Sequence, residues 1–222
     1  MTVVRTWLRL FAVLLLVGVA LPGWGLEEGK DYVRVPVPEP SEVPGKIEVM
    51  EFFWYGCPHC YHLEPYVERW AAHLPKDVVF RRVPAVLGPS WEPLARAYVV
   101  ADLLGVVDRI HRPLFDYLHK ERKRFHNEGE LRDFFVRHAG ISPKEFDATY
   151  HSFATAARIN RSKQLGRRFG VTGVPTFVVA GKYRTSVSMT RSERRLFEVV
   201  DALVDRERQR LAAQAGKEPG AH

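Results

Sequence analysis

Cys57 and Cys60 are the only cysteines in 222 residues, and they stand three apart with Pro58 and His59 between them. At the start of a helix, side chains so spaced have Cβ atoms about 5 to 6 Å apart, near enough for small adjustments to join or part the sulfurs. Such a pair can alternate between dithiol and disulfide. Cys57 would sit where unpaired backbone N–H groups and the positive end of the helix dipole favour an anion, which stabilises its thiolate and lowers its pKa. His59 adds a donor and, when protonated, a second positive influence. A stabilised thiolate stabilises the reduced pair and makes the disulfide a stronger oxidant. These residues lean toward giving disulfides away.

Three rival uses of the pair fit less well. A structural staple closing so short a loop restricts the unfolded chain little. A zinc site could draw on Cys57, His59, Cys60 and His62, but closed tetrahedral sites take four converging ligands, and no second ligand pair follows downstream. Haem attachment needs histidine directly after the second cysteine, where Tyr61 stands. No metal and no cofactor is expected.

Glu51 lies six residues before Cys57 in the apolar run Ile47 to Trp54. In a central strand it would share a face with Val49 and Phe53, and its carboxyl would be buried, with a raised pKa and a place beneath the cysteines from which to carry protons. The alternative is a strand-end glutamate that reaches solvent or pairs with Arg81 or Arg82. Pro175, in Gly173-Val174-Pro175-Thr176, is trans by base rate alone.

The elements that must hold these groups follow from periodicity. Ile47–Trp54 reads as a central strand, Pro58 toward Ala72 as a helix that Pro65 should kink or split, and Val78–Val83 as a second strand. Between Gly88 and Arg168 the period is helical, with capping signals at Asn127/Glu130 and Ser142/Glu145 and helix stops at Gly140 and Gly170. Strands return at Thr176–Val179 and Tyr183–Val187, and a closing helix capped by Thr190 runs to about Ala212. Ahead of all this, Pro36, Pro38, Pro40 and Pro44 restrict residues 31–46 to an edge strand or extended arm. The expected fold is α/β, a sheet domain interrupted by an all-helical insertion.

Composition places the chain among ordinary globular proteins: 46% hydrophobic and 27% charged residues exclude disorder, collagen and a multi-span membrane protein. The formal charge of +7 falls by two if residues 1–25, with Arg5 and Arg9, are removed as a secretory signal peptide. That segment has basic residues, an apolar run from Leu10 to Leu21 and small residues at Gly23 and Gly25. An uncleaved membrane anchor is the alternative, although the run is short for a span. An exported chain meets an oxidising compartment, where an isolated cysteine pair can act as a disulfide. The basic runs at Arg122–Arg124, Arg167-Arg168 and Arg206–Arg210 interleave with acids and read as solvated helix faces, so no nucleic-acid partner is expected.

Together, EFFWYGCPHCYHLEP (Glu51 to Pro65), the helical insertion and GVPTFVVAGKY (Gly173 to Tyr183) resemble the DsbA family, exported thiol:disulfide oxidoreductases with a thioredoxin fold. The resemblance spans roughly Val33 to Leu211. It implies a signal peptide over 1–25, a discontinuous thioredoxin-like domain over 26–87 and 169–214, a helical insertion over 88–168 and a flexible tail over 215–222. Cys57 would be the exposed nucleophile, Cys60 its buried partner, Pro58 and His59 the residues tuning them, and Glu51 the buried acid. Val174 and Pro175 would contact substrate, with Pro175 cis. Arg82 falls at or near the family's buried lysine, a departure, since arginine does not give up its proton. The resemblance further implies a periplasmic monomer that oxidises reduced exported proteins and is reoxidised by a DsbB-type membrane quinone reductase. An exported reductase or isomerase would share the fold, although 26–46 is too short for an isomerase's dimerisation domain.

Overall fold

The computed structural model describes residues 25–216, so the signal segment and the last residues of the tail lie outside it. Strand β1 (Val33–Arg34) is followed by β2 (Ile47–Phe53), helix α1 (Pro58–Ala71) and β3 (Val78–Pro84). A 3-10 turn (Pro89–Trp91) leads into α2 (Glu92–Leu103), α3 (Val107–His119), α4 (Glu128–Ala139), α5 (Pro143–Tyr150) and α6 (Phe153–Arg168). The chain closes with β4 (Thr176–Val179), β5 (Tyr183–Thr185), a short α7 (Val187–Thr190) and the long α8 (Glu193–Ala215).

The strands form one mixed sheet in the order β1-β5-β4-β2-β3, with β2 and β3 parallel and the other pairs antiparallel. β2 is flanked on both edges, and every one of its residues is buried, which explains its unbroken apolar run. On one sheet face Val49, Phe177 and Val179 pack with Leu63 and Val67 of α1 and Leu196, Val199, Val200 and Leu203 of α8. On the other, Met50, Phe52 and Val178 meet Leu165 and Phe169, so the C-terminal end of α6 covers the sheet. A third core joins Phe53, Tyr55, Cys57 and Cys60 to Ile110, Leu114, Phe115, Phe134 and Phe146 of the helical block, placing the cysteine pair at the junction of the two layers.

Local signals explain most boundaries. Ser142 and Glu145 form a complete capping box, and Asn127 accepts from the Glu130 N–H at 3.0 Å. Gly140 and Gly170 end α4 and α6 with φ of +66° and +65°, a backbone region that favours glycine. The proline-rich arm docks by backbone bonds from Val35 to Lys182 and from Glu39 to Gly181.

Three expectations are corrected. Pro65 does not split α1, because Cys60, Leu63 and Val67 anchor the helix on both sides of it. Thr190 ends α7, its hydroxyl donating to the Ser186 and Ser192 carbonyls, while Ser192 caps α8 by accepting from the Arg195 N–H. The β5 strand stops at Thr185, where β4 no longer offers a partner.

Candidate active site

Cys57 caps α1, with φ −90° and ψ 117°, and Pro58 occupies the first helical position, where its missing N–H costs nothing. One turn on, Cys60 points back toward it. Both cysteines are free thiols. Cys60 is 1% exposed and Cys57 8%. The first cysteine is therefore less exposed than the resemblance implies: its Sγ lies 3.5 Å from the Val174 carbonyl oxygen, and that loop covers it. His59 projects into solvent beside it.

The two thiols are driven apart electrostatically. The Cys57 pKa drops to about 6, chiefly because the Cys60 thiol donates to its sulfur, with further help from the Cys60 and His59 backbone N–H groups and the His59 charge. Cys60 moves the opposite way, raised by burial, by its bond to Cys57 and by the charges of Cys57 and Glu51. At neutral pH the reduced pair is a thiolate on Cys57 and a thiol on Cys60, the division of labour that thiol–disulfide exchange requires.

Beneath the pair, Glu51 is fully buried and its two oxygens accept no hydrogen bond. Its nearest cation is Arg82 Nε at 3.5 Å. Burial, then the neighbouring Glu64 charge, push its pKa to about 8 against the pull of Arg82. Of the alternatives read from sequence, burial holds and the solvent-reaching strand end does not, although Glu51 does face Arg82; Arg81 pairs instead with Glu48 at 2.5 Å.

Sequence reasoning missed the rest of this buried network. Arg82 Nη2 donates to Glu64, Glu64 Oε1 lies 3.2 Å from His111 Nε2, and His111 Nδ1 lies 2.8 Å from the Tyr55 hydroxyl. The signals were available as polar residues on apolar stripes: Glu64 among Cys60, Leu63 and Val67, and His111 three, four and seven residues before Leu114, Phe115 and Leu118.

Val174-Pro175 is a cis peptide at the start of β4, and Thr176 fixes the loop by donating to the Gly173 carbonyl at 2.7 Å. Next to it lies a hollow of about 490 Å³ bordered by His59, His62, Val174, Pro175, Val187 and Met189. On the opposite side Trp54 stacks on Trp91, ring centres 4.2 Å apart, and covers Gly56. Among the described residues there is no group of three or more His, Cys, Asp or Glu side chains placed to hold a metal, and no helix long and apolar enough to cross a membrane.

A four-stranded thioredoxin core with an added edge strand, a helix opening on CPHC, and a cis-proline loop against the first cysteine together define a thiol:disulfide oxidoreductase. Comparison with known proteins agrees. The DSBA-like thioredoxin domain family matches residues 48–203. The thiol:disulfide interchange protein DsbA of Pseudomonas syringae pv. tomato is 40% identical over 192 residues, covering 86% of this chain and 88% of that one. The Pseudomonas aeruginosa protein of the same name is 38% identical over 199 residues, 90% of this chain and 94% of the relative. Its crystal structure superposes with a TM-score of 0.80 over 84% of this chain and 97% of that one, and the Xylella fastidiosa oxidoreductase DsbA with 0.77 at 36% identity, over 83% and 98%. The chain belongs to the DsbA family of thioredoxin-fold thiol:disulfide interchange proteins.

Proposed function

We propose that this protein donates its Cys57–Cys60 disulfide to reduced, newly exported proteins in the periplasm. The observation that carries the reading is the opposed pair of thiols, Cys57 held near 6 and Cys60 held high. A substrate thiolate attacks the Cys57 sulfur. The Cys57–Cys60 bond breaks, Cys60 departs as a thiolate, and Glu51 supplies it with a proton. A second substrate thiolate then attacks the substrate sulfur of the mixed disulfide and expels Cys57, which leaves readily as a stabilised thiolate. The substrate has lost two electrons and the enzyme holds them as its dithiol.

Pro58 and His59 tune Cys57 in this scheme, and Val174 with Pro175 holds the incoming chain along the hollow below His59. The discontinuous domain 26–87 and 169–214 carries the chemistry, and the insertion 88–168 covers the buried side of the site. Residues 1–25 act as the export signal. A quinone-linked membrane reductase of the DsbB type reoxidises the dithiol, and the protein works as a monomer. The test mixes oxidised protein with a reduced, unfolded substrate containing two cysteines. Disulfide formation should far outpace that seen with Cys57→Ser; equal rates overturn the proposal.

A further inference from the structure

Two buried carboxyl groups share one partly buried guanidinium behind the cysteines: Glu51 from β2, Glu64 from α1 and Arg82 from β3. An additional buried anion without a counter-ion is strongly disfavoured, so one of the two carboxyls holds a proton. The contacts are unequal. Glu51 has only Arg82 Nε, 3.5 Å away, and no hydrogen bond to either oxygen. Glu64 has Arg82 Nη2 and, from the helical insertion, the Nε2 edge of His111 at 3.2 Å.

His111 is almost fully buried, boxed by the rings of Phe53, Tyr55, Tyr98 and Phe115. Its Nδ1 lies 2.8 Å from the buried Tyr55 hydroxyl, which can donate to it. A neutral imidazole that accepts at Nδ1 carries its proton on Nε2. That N–H lies 3.2 Å from Glu64 Oε1, too far off line for a hydrogen bond, and makes none to any other described residue. Burial holds His111 below the usual histidine range, in keeping with the neutral ring. The titratable and charged groups facing the ring are Tyr55 after β2, Glu64 and Glu68 of α1, Arg82 of β3 and Tyr98 of α2. Glu51 in turn faces Glu64, Arg82, Tyr98 and Cys60.

We propose that His111 is a positioning residue that decides which buried carboxyl keeps the proton: through Nε2–H it holds Glu64 as the carboxylate, leaving Glu51 as the protonated acid beneath Cys60. Without that contact the proton moves toward Glu64 and Arg82 serves an ionised Glu51. A negative charge then sits under the cysteine pair and disfavours the Cys57 thiolate. The inference rests on the reading of Glu51 as the acid that serves Cys60.

The test compares the full-chain protein with His111→Phe, Glu51→Gln and the double variant, following the Cys57 thiolate by absorbance against pH and the redox equilibrium with glutathione at pH 7. His111→Phe should raise the Cys57 midpoint and shift the equilibrium roughly three- to tenfold toward the disulfide. In the Glu51→Gln background the same substitution should change neither quantity, because no proton is left to relocate. His111→Gln, which keeps an N–H donor, should restore most of the original midpoint. Tyr55→Phe, which frees the ring tautomer, should give a smaller shift with the same dependence on Glu51, and it decides the matter if His111→Phe does not fold. Equal shifts in both backgrounds, or none in either, overturn the proposal. The underlying reading of Glu51 fails separately, if Glu51→Gln alone leaves the pH dependence of the cysteine pair unchanged.

Discussion

Glu51 lies fully buried in the central strand with Arg82 Nε, 3.5 Å away, as its only charged contact of opposite sign among the described residues. β2 and β3 run parallel with these two residues in register, so the pairing is a product of strand alignment and not of any local motif. A carboxyl so placed resists ionisation, and its consequences for stability and reactivity can be measured.

In the oxidised protein neither cysteine titrates, and comparison with Glu51→Gln separates Glu51 from His111, which titrates in the same range with the opposite sign. The folded pKa of Glu51 is raised to about 8 from 4.5. Between those values the unfolded chain is ionised while the folded chain holds its proton. Stability contributed by the bound proton is complete below about 4.5 and is lost as pH rises through about 8. Relative to Glu51→Gln, the unfolding free energy of the oxidised protein from urea titration should therefore fall across this window, by up to about 1.4 kcal/mol per pH unit.

Cys57 gives the opposite sign in the reduced protein. Its folded pKa is lowered from 9.0 to about 6. The stability that the thiolate contributes is fully present above about 9 and disappears as pH falls through about 6. Denaturant unfolding of the reduced form against pH, relative to Cys57→Ser, should show that rise between the two values.

His59→Ala removes a charge that favours the thiolate while leaving the backbone N–H groups in place. The Cys57 midpoint should move up from about 6 by roughly half to one unit, and the glutathione equilibrium should shift toward the disulfide. An unchanged midpoint would assign the whole effect to Cys60 and the helix start.

Arg82 contacts both buried acids, Glu51 and the Glu64 carboxylate. Arg82→Met strands them, and chemical denaturation should show a loss of about 3 to 5 kcal/mol. Arg82→Lys keeps the charge but not the two-sided reach of the guanidinium, so a smaller loss is expected.

Gly56 lies under the Trp54 indole, whose ring atoms would come within 2.4 Å of an added Cβ. Gly56→Ala should push Trp54 off Trp91 and destabilise the protein by about 1 to 3 kcal/mol, with a change in tryptophan fluorescence that accompanies the lower melting temperature.

The chemistry was written locally. Cys57, Pro58, His59 and Cys60 follow one another, and the groups that lower the Cys57 pKa, the Cys60 thiol and the backbone N–H groups of the helix start, lie within three residues of it, so the pair can be read along the chain. The sheet elements, the helical block between them and the Ser142 capping box were legible for the same reason: periodicity and capping act within a few residues. The burial of Glu51 is one of the two readings that its place in an apolar run allows. Tertiary structure decided what depends on residues distant in sequence. It set Arg82 beside Glu51 through strand register, brought Glu64 of one helix onto the same guanidinium and His111 of another beside Glu64, and laid the Val174 carbonyl against Cys57 across 117 residues of chain. A polar side chain on an apolar stripe announces only that it needs a partner. Which partner it finds, and therefore where a shared proton rests, is fixed by how the layers pack.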